Sequence, residues 1–323
     1  MQITRRFFFS VAAGSLMARI NLPAQASLTS RERVDRALEG REVDRTPFSY
    51  WHHFGLQKEP PERFVQATLD FHLKFRTDLV KVMSDFPYPH PVGQWYDLRE
   101  EANPFPAQIQ ALHSIGQSLG RQAYFIETIF NPWKVAENLS SAQAVLRLKD
   151  ENPQRLLDAL EVITKSEINH ARRAVAAGAS GIFLAIANAQ DGILSQDDYA
   201  KFSEPFDRLV LEATPHAPLN TLHLHGDRVY LDRFYQGWAA SVINYSVQGT
   251  RVPMRSVRKK YGGVLMGGLD EERFRSLSSE TLRSQYETAR EEAGKRFILA
   301  PGCSVPNDST DAELMQVPHI LGA

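Results

Sequence analysis

The chain has 323 residues, of which 43% are hydrophobic and 23% are charged. These values are typical of globular proteins and exclude a disordered chain, a coiled coil or a collagen-like fibre. The formal net charge is -1 at pH 7. No overall field therefore attracts nucleic acid or anionic lipid, and nucleic acid is not expected as a partner. A single cysteine, Cys303, excludes an intrachain disulfide.

Residues 1–26 have the features of an export signal. Arg5 and Arg6 precede an apolar stretch over 7–18, and the segment contains no acidic residue. The stretch is shorter than the roughly 20 residues of a spanning helix, so no stable membrane span is expected. The paired arginines and the small-x-small sequence of residues 24–26 resemble a cleavable twin-arginine signal. We therefore expect export to the periplasm or outside the cell, with transient binding to the twin-arginine machinery. The alternative is a frayed N-terminal helix with a chance pair of arginines.

Eight short β-rich runs alternate with longer amphipathic stretches. They are 47–54, 78–85, 122–130, 181–189, 220–226, 240–246, 263–270 and 296–304. Helices are expected between them, at 62–76, 152–177, 202–213 and 278–294, and a short last helix is expected at 311–317. This alternation predicts an α/β fold, a single (β/α)8 TIM barrel over 27–323, with an insertion around 87–120 after the second strand. A doubly wound sheet is less consistent, because no Gly-x-Gly-x-x-Gly follows the first run.

Two histidines and the cysteine lie at predicted strand ends, where barrels of this kind carry their chemistry. His223 and His225 lie two residues apart in the fifth run, so a strand places both on one face. Cys303 lies in the eighth run, after Pro301-Gly302. Three nitrogen and sulfur ligands with an open fourth position describe a catalytic zinc site. The alternative is a pair of histidines with ordinary hydrogen bonds and a small core cysteine.

Other polar residues end the remaining runs and are candidates for the rest of an active site. Asp85 and Tyr245 are the candidate catalytic residues. The candidate substrate-binding residues are His52, Asn188, Asn244 and Asp270. Because neighbouring strand residues point to opposite faces, only one of His52 and His53 can face the barrel mouth.

Several stretches resemble the uroporphyrinogen decarboxylase (URO-D) superfamily. Residues 31–47, RERVDRALEGREVDRTP, resemble its opening. The stretches 222–226 (LHLHG), 267–270 (GGLD) and 297–306 (FILAPGCSVP) resemble its fifth, seventh and eighth strands. The resemblance implies a (β/α)8 barrel and one of two chemistries. These are metal-free decarboxylation of tetrapyrrole acetate groups and zinc-dependent methyl transfer between a corrinoid and a thiol.

The chain departs from the pattern of both branches. Asp85 matches the decarboxylase aspartate, but the arginines expected after the first strand are absent from 48–55, and Asn138 stands near the place of an expected tyrosine. The methyl-transfer branch uses His-x-Cys on strand five and Cys on strand eight, and here His225 replaces the middle cysteine.

The resemblance therefore implies a URO-D enzyme with zinc on His223, His225 and Cys303, acting in methyl transfer that involves a thiol or a corrinoid. Two alternatives stay open. One is decarboxylation of a tetrapyrrole or another carboxylate. The other is an exported, non-catalytic barrel that binds a tetrapyrrole or corrinoid.

Overall fold

The computed structural model describes residues 27–56 and 58–323. The expected export signal, residues 1–26, lies outside the described residues. Within the described part of the chain, no helix is both long and apolar enough to cross a lipid bilayer.

Seven parallel strands form one sheet in which the spatial order equals the sequence order. They are β1 Leu79–Val82, β2 Tyr124–Phe130, β3 Ile182–Ile186, β4 Thr221–Leu224, β5 Val242–Tyr245, β6 Val264–Leu269 and β7 Phe297–Pro301. Their residues are almost all buried, because helices cover one face and the sheet curls around the other. Each strand lies inside one of the eight predicted runs.

The first predicted run is the exception, because it contributes an isolated bridge between Phe48 and Leu299 and no strand. It lies between the two edge strands. Ser49 N donates to Leu299 O at 3.0 Å on the β7 side, and Asp78 N donates to Phe48 O at 2.8 Å on the β1 side. Pairing ends there because Phe48 N–H donates to the Asp78 carboxylate at 3.1 Å and Pro47 has no N–H to donate. The structure therefore shows a barrel-like α/β fold with seven strands.

Helices cover the outer face of the sheet. In the described residues they are α1 Ser30–Glu39, α2 Pro61–Phe75, α3 Pro106–Leu119, α4 Pro132–Leu139, α5 Ala142–Glu151, α6 Pro153–Ala176, α7 Gln196–Phe202, α8 Glu204–Glu212, α9 Val247–Thr250, α10 Met254–Arg258, α11 Ser279–Ala293 and α12 Asp311–Leu321. The expected helices correspond to α2, α6, α8, α11 and α12. Helix α3 occupies much of the segment interpreted as an insertion. It is the crossover helix between β1 and β2, so only residues 87–105 are irregular.

A buried ion network lies at the N-terminal end of β1. The fully buried Asp78 carboxylate contacts Arg45 at 2.5 Å and Arg33 at 3.1 Å. Arg33 also contacts Asp44 at 2.8 Å. These ion pairs connect α1 and the first run to β1. They lie at the N-terminal ends of the strands, whereas the predicted site lies at the C-terminal ends. The charged residues of the 31–47 stretch therefore have a structural role here.

Candidate metal centre

His223, His225 and Cys303 lie together at the C-terminal ends of β4 and β7. One ligand atom from each lies within 4.8 Å of the others, and they are the one such group of His, Cys, Asp and Glu among the described residues. His223 is buried, Cys303 is partly buried and His225 is exposed. The group is therefore anchored on one side and open to solvent on the other, as a site that admits a substrate needs to be.

A close backbone approach places Cys303 after β7. A Cβ atom on Gly302 would lie 2.3 Å from Ser246 Cα, far inside any normal contact, so glycine is needed at this position. Gly302 N also donates to Glu271 Oε2 at 3.0 Å, which fixes the turn. The Pro301-Gly302 pair thus brings the cysteine against the end of β5.

A second glycine places His225 just beyond β4. Its backbone N–H donates to Ile186 O at 2.9 Å and continues the pairing with β3. Gly226 follows with φ +127°, a conformation that favours glycine. A Cβ there would lie 2.2 Å from Gln190 Oε1. The Gln190 side chain in turn donates to the His225 carbonyl at 3.1 Å and holds the strand end in place.

Asn244 on β5 sets the tautomer of His223. Its amide nitrogen donates to Met266 O and Pro301 O, both at 3.0 Å, which assigns Oδ1 as the atom facing His223. That oxygen lies 2.6 Å from His223 Nδ1, so Nδ1 carries the proton and donates. The Nε2 lone pair is left free to bind a metal. Metal-binding histidines commonly have an outer hydrogen bond of this kind.

Electrostatics favour the ligand form of Cys303, whereas His225 has to lose a proton before it can bind a metal. Burial alone raises the pKa of the Cys303 thiol, but its interactions with His223 and His225 outweigh burial and lower the pKa to about 4. The hydrogen bond between Cys303 and His225 in turn raises the pKa of His225. A thiolate and two imidazole nitrogens form a donor set that zinc prefers, so these residues fit the expected metal.

Lys81 on β1 is a buried cation that was not among the residues predicted from the sequence. Its Nζ lies 4.9 Å from the ring centre of Phe183, and Phe183 stacks on His223 with ring centres 4.8 Å apart. Burial lowers the pKa of Lys81 to about 8, and the negative charges of Cys303 and Asp85 oppose that shift. The available signal was a lysine between two apolar pairs, Leu79-Val80 and Val82-Met83.

Asp85 follows β1 and pairs with a histidine other than the expected one. Its Oδ1 accepts from His53 Nδ1 at 2.6 Å. The expected substrate contact, His52, instead packs on Phe54 and Phe71 with ring centres 4.9 and 5.2 Å away. Strand alternation allows only one of the two histidines to face the mouth, and His53 is the one that lines the cavity with Asp85. A role of His52 in substrate binding stays a prediction.

Three other candidates make contacts of their own. Asn188 is buried and accepts from Asn131 Nδ2 at 2.8 Å. Tyr245 follows Asn244 and so points to the opposite face of β5, where its hydroxyl donates to Val252 O at 3.1 Å. Asp270 accepts from the backbone and side chain of Arg273 in its own loop, at 3.0 and 2.6 Å. The structure therefore gives Tyr245 and Asp270 structural contacts away from the metal ligands.

A cavity of about 300 Å³ lies beside Asp85 and His53. Asn138 also lines it. Among the described residues that form its wall there is neither lysine nor arginine. The cavity therefore lacks the side chains that pair with a substrate bearing many carboxylates.

The chain is similar to a known protein family and to several solved structures. Residues 90–318 match the family model described as uroporphyrinogen decarboxylase (URO-D). No curated protein sequence matches the chain significantly. Among solved structures, a methyltransferase from Methanosarcina mazei is similar, with 17% identity and a TM-score of 0.75 over 92% of this chain and 99% of that chain.

A putative vitamin-B12-independent methionine synthase from Listeria monocytogenes shows 10% identity and a TM-score of 0.55, over 92% of this chain and 95% of that one. The B12-independent methionine synthase from Shewanella sp. W3-18-1 shows 11% identity and a TM-score of 0.50, over 75% of this chain and 69% of that one. At such identities the likeness shows the fold alone. The family match covers well over half of the sequence, and the chain therefore belongs to the uroporphyrinogen decarboxylase (URO-D) family.

Proposed function

We propose that this URO-D-family chain is a zinc-dependent enzyme of methyl transfer that involves a thiol or a corrinoid. The observation that carries the proposal is the convergence of His223, His225 and Cys303 within 4.8 Å, with one side open to solvent. The fold it shares with the Methanosarcina mazei methyltransferase supports the same branch.

Each residue of the proposed centre has a separate role. His223 binds through Nε2 because Asn244 holds its Nδ1 proton. Cys303 binds as a thiolate, and the exposed His225 borders the open side where substrate enters. Zinc, when bound, lowers the pKa of a thiol or water and provides a nucleophile at neutral pH. Lys81 places a positive charge near the thiolate and lowers the cost of keeping it buried.

The exchange of cysteine for His225 changes the charge of the proposed centre. Two imidazoles and one thiolate neutralise Zn²⁺ less than one imidazole and two thiolates do, so the metal is a stronger Lewis acid. A substrate thiol then loses its proton more easily but is a less basic and weaker nucleophile.

Metal analysis tests the proposal directly. Protein purified without a His-tag is expected to hold about one zinc per chain, and His223→Ala and Cys303→Ser are expected to lose it. His216→Ala, at an exposed histidine outside the group, is the matched control and keeps its zinc. Zinc far below one per chain in the native protein, with no further change in His223→Ala, contradicts the proposal. The zinc-loaded protein is then assayed with methylcobalamin and a panel of small thiols.

Decarboxylation is the second candidate because Asp85 lines the cavity with a side chain that is only 4% exposed. The absence of lysine and arginine from the described cavity wall disfavours a tetrapyrrole with many carboxylates. Turnover that survives chelation and Cys303→Ser but is lost in Asp85→Asn supports this alternative over methyl transfer.

We also infer that residues 47–49 take the place of the eighth strand and close a (β/α)8 barrel. Backbone hydrogen bonds to both edge strands support this. The Ser49 and Leu299 amides are expected to exchange with deuterium as slowly as amides in the middle of the sheet. Exchange within seconds at Ser49, while Leu265 in β6 stays protected, contradicts closure.

Export is likewise a proposal and rests on Arg5 and Arg6 with the apolar stretch that follows. A fusion of residues 1–26 to a folded reporter is expected to leave the cytoplasm of a host with a twin-arginine pathway. The double variant Arg5→Lys and Arg6→Lys is expected to stay inside. Retention of the native fusion contradicts the proposal.

A further inference from the structure

The cavity beside Asp85 extends away from the metal centre into the layer between the sheet and the helices. Its wall is formed by the 84–90 segment, the end of β2, α4 and α6. None of His223, His225 and Cys303 contributes to that wall. Its volume of about 300 Å³ is at the lower end for small-molecule sites.

Four of its lining side chains have a buried polar atom with no hydrogen-bond partner among the described residues. The atoms are Glu167 Oε2, His170 Nδ1, Tyr88 OH and Asp85 Oδ2. Glu167 and His170 on α6 are 1% and 0% exposed. A buried polar atom without a partner costs about 1–3 kcal/mol. Four such atoms around one cavity indicate that its occupant supplies their hydrogen bonds.

The unpartnered atoms can all accept hydrogen bonds. His170 Nε2 lies 2.9 Å from Glu127 Oε1 on β2, and Gln108 donates to the other Glu127 oxygen at 2.8 Å. His170 therefore donates through Nε2, and in the neutral ring Nδ1 is an acceptor. Ionised carboxylates only accept, and a tyrosine hydroxyl can do so. The occupant is therefore a group rich in hydrogen-bond donors.

The charged and aromatic residues of the cavity wall indicate which class of ligand the cavity accepts. The described lining residues include two acids and no lysine or arginine, which favours a cation over an anion. Tyr88, Phe105 and His170 all line the cavity and pack edge to face, with ring centres 5.8 Å and 4.8 Å apart. Aromatic faces attract ammonium groups. Burial and the charge of Glu127 raise the pKa of Glu167 well above its ordinary value, which favours the protonated acid when no cation is bound. Binding of a cation therefore releases this proton and leaves Glu167 as an ionised acceptor.

We propose that this cavity binds a small organic ammonium ion that donates hydrogen bonds to Glu167 and His170 and lays its apolar part against Tyr88 and Phe105. The volume of about 300 Å³ equals roughly ten water molecules, which admits a monoamine of about five to ten non-hydrogen atoms. The site is separate from the proposed zinc centre, since the two have no residue in common.

Calorimetric titration of the full chain tests the proposal with three probes, methylammonium, butylammonium and benzylammonium. At least one is expected to bind, and 1-butanol and butyrate are expected to bind at least tenfold more weakly than butylammonium. Glu167→Gln is expected to weaken ammonium binding at least tenfold. Glu161→Gln on the same helix, whose side chain is 59% exposed, is the matched control and leaves the affinity unchanged.

Two measurements keep the test independent of folding and of the zinc proposal. Tyr88→Phe removes only a hydroxyl and is expected to weaken binding about threefold, so it serves if Glu167→Gln does not fold. Zinc content is expected to be equal in Glu167→Gln and the native protein. No binding of any of the three ammonium probes overturns the proposal. So does an affinity that is unchanged in both Glu167→Gln and Tyr88→Phe.

Discussion

Replacement of Asn244 by alanine tests whether an outer hydrogen bond controls metal affinity. The Asn244 carbonyl accepts from His223 Nδ1 at 2.6 Å, and its amide is anchored on two backbone carbonyls at 3.0 Å. Without Asn244 the His223 ring loses both its fixed tautomer and its fixed orientation. Loss of such a partner commonly lowers metal affinity by about 10- to 100-fold. That corresponds to about 1.4–2.8 kcal/mol of binding free energy.

The assay is competition for zinc against a chromophoric chelator, with folding checked by circular dichroism. Asn220→Ala is the matched control, because Asn220 is also a buried asparagine, next to the start of β4. Its amide donates to Thr214 O at 2.8 Å and Ala239 O at 3.2 Å. We expect this control to lower stability but to leave the zinc affinity of the folded protein within about threefold of native. If Asn244→Ala binds zinc within that same margin, the assigned tautomer has no role in the site.

Three further predictions concern the charged groups. In the metal-free protein, alkylation of Cys303 is expected to keep a nearly constant rate from pH 6 to 8, since its pKa is about 4; an ordinary cysteine with a pKa near 8.5 speeds up roughly 75-fold over that interval. Because folding lowers this pKa, the thiolate stabilises the fold fully above about pH 8.5, and this stabilisation is lost as the pH falls toward 4. Lys81→Met is expected to raise the pKa of Cys303 by up to about one unit, because a nearby positive charge is lost. Asp78→Asn is expected to cost about 3–5 kcal/mol in urea unfolding, since it leaves two arginines without their buried partner.

A rate for Cys303 that rises steeply between pH 6 and 8 contradicts the lowered pKa. Lys74→Met, at a lysine whose side chain is 49% exposed, is expected to leave the Cys303 titration unchanged, and an equal shift in both variants contradicts a specific effect of Lys81. Asp44→Asn, which breaks an ion pair with Arg33, is expected to cost about 1 kcal/mol or less. Equal costs at Asp44 and Asp78 contradict the network.

Strand positions follow from the sequence because short apolar runs between amphipathic stretches are typical of buried parallel strands. The first run makes only an isolated bridge, for a reason that its apolar pattern does not contain. Asp78, a residue distant in sequence, accepts the hydrogen bond of Phe48 N–H that a neighbouring strand would otherwise take. The segment predicted as an insertion includes α3, because Pro106 begins a helix, as proline commonly does at a first turn, whereas a proline-rich segment also fits a loop.

The candidate metal ligands were accessible to sequence reasoning because two of them lie two residues apart at one strand end, where alternation predicts a common face. Alternation also allowed at most one of His52 and His53 to face the mouth, but it did not say which. Trp51 decides which of the two histidines faces inward. Its side chain faces the interior, where Lys81 Nζ lies 5.3 Å from the centre of the Trp51 ring. Once Trp51 points inward, so does His53, and His52 turns toward Phe71. A residue next to the two candidates thus decided between them.

The hydrogen-bond acceptors that line the cavity could not be predicted from the sequence by strand alternation. Glu167 and His170 lie three residues apart on α6, a spacing that describes one helix face but not what covers it. What covers it is β2, which directs Glu127 toward them. A layer between strand and helix normally packs apolar side chains, and three titratable groups there lower stability unless they are satisfied. A ligand that satisfies them stabilises the folded chain by about 2.7 kcal/mol at 100 times its Kd, so binding in this cavity and stability of the α6 layer are linked.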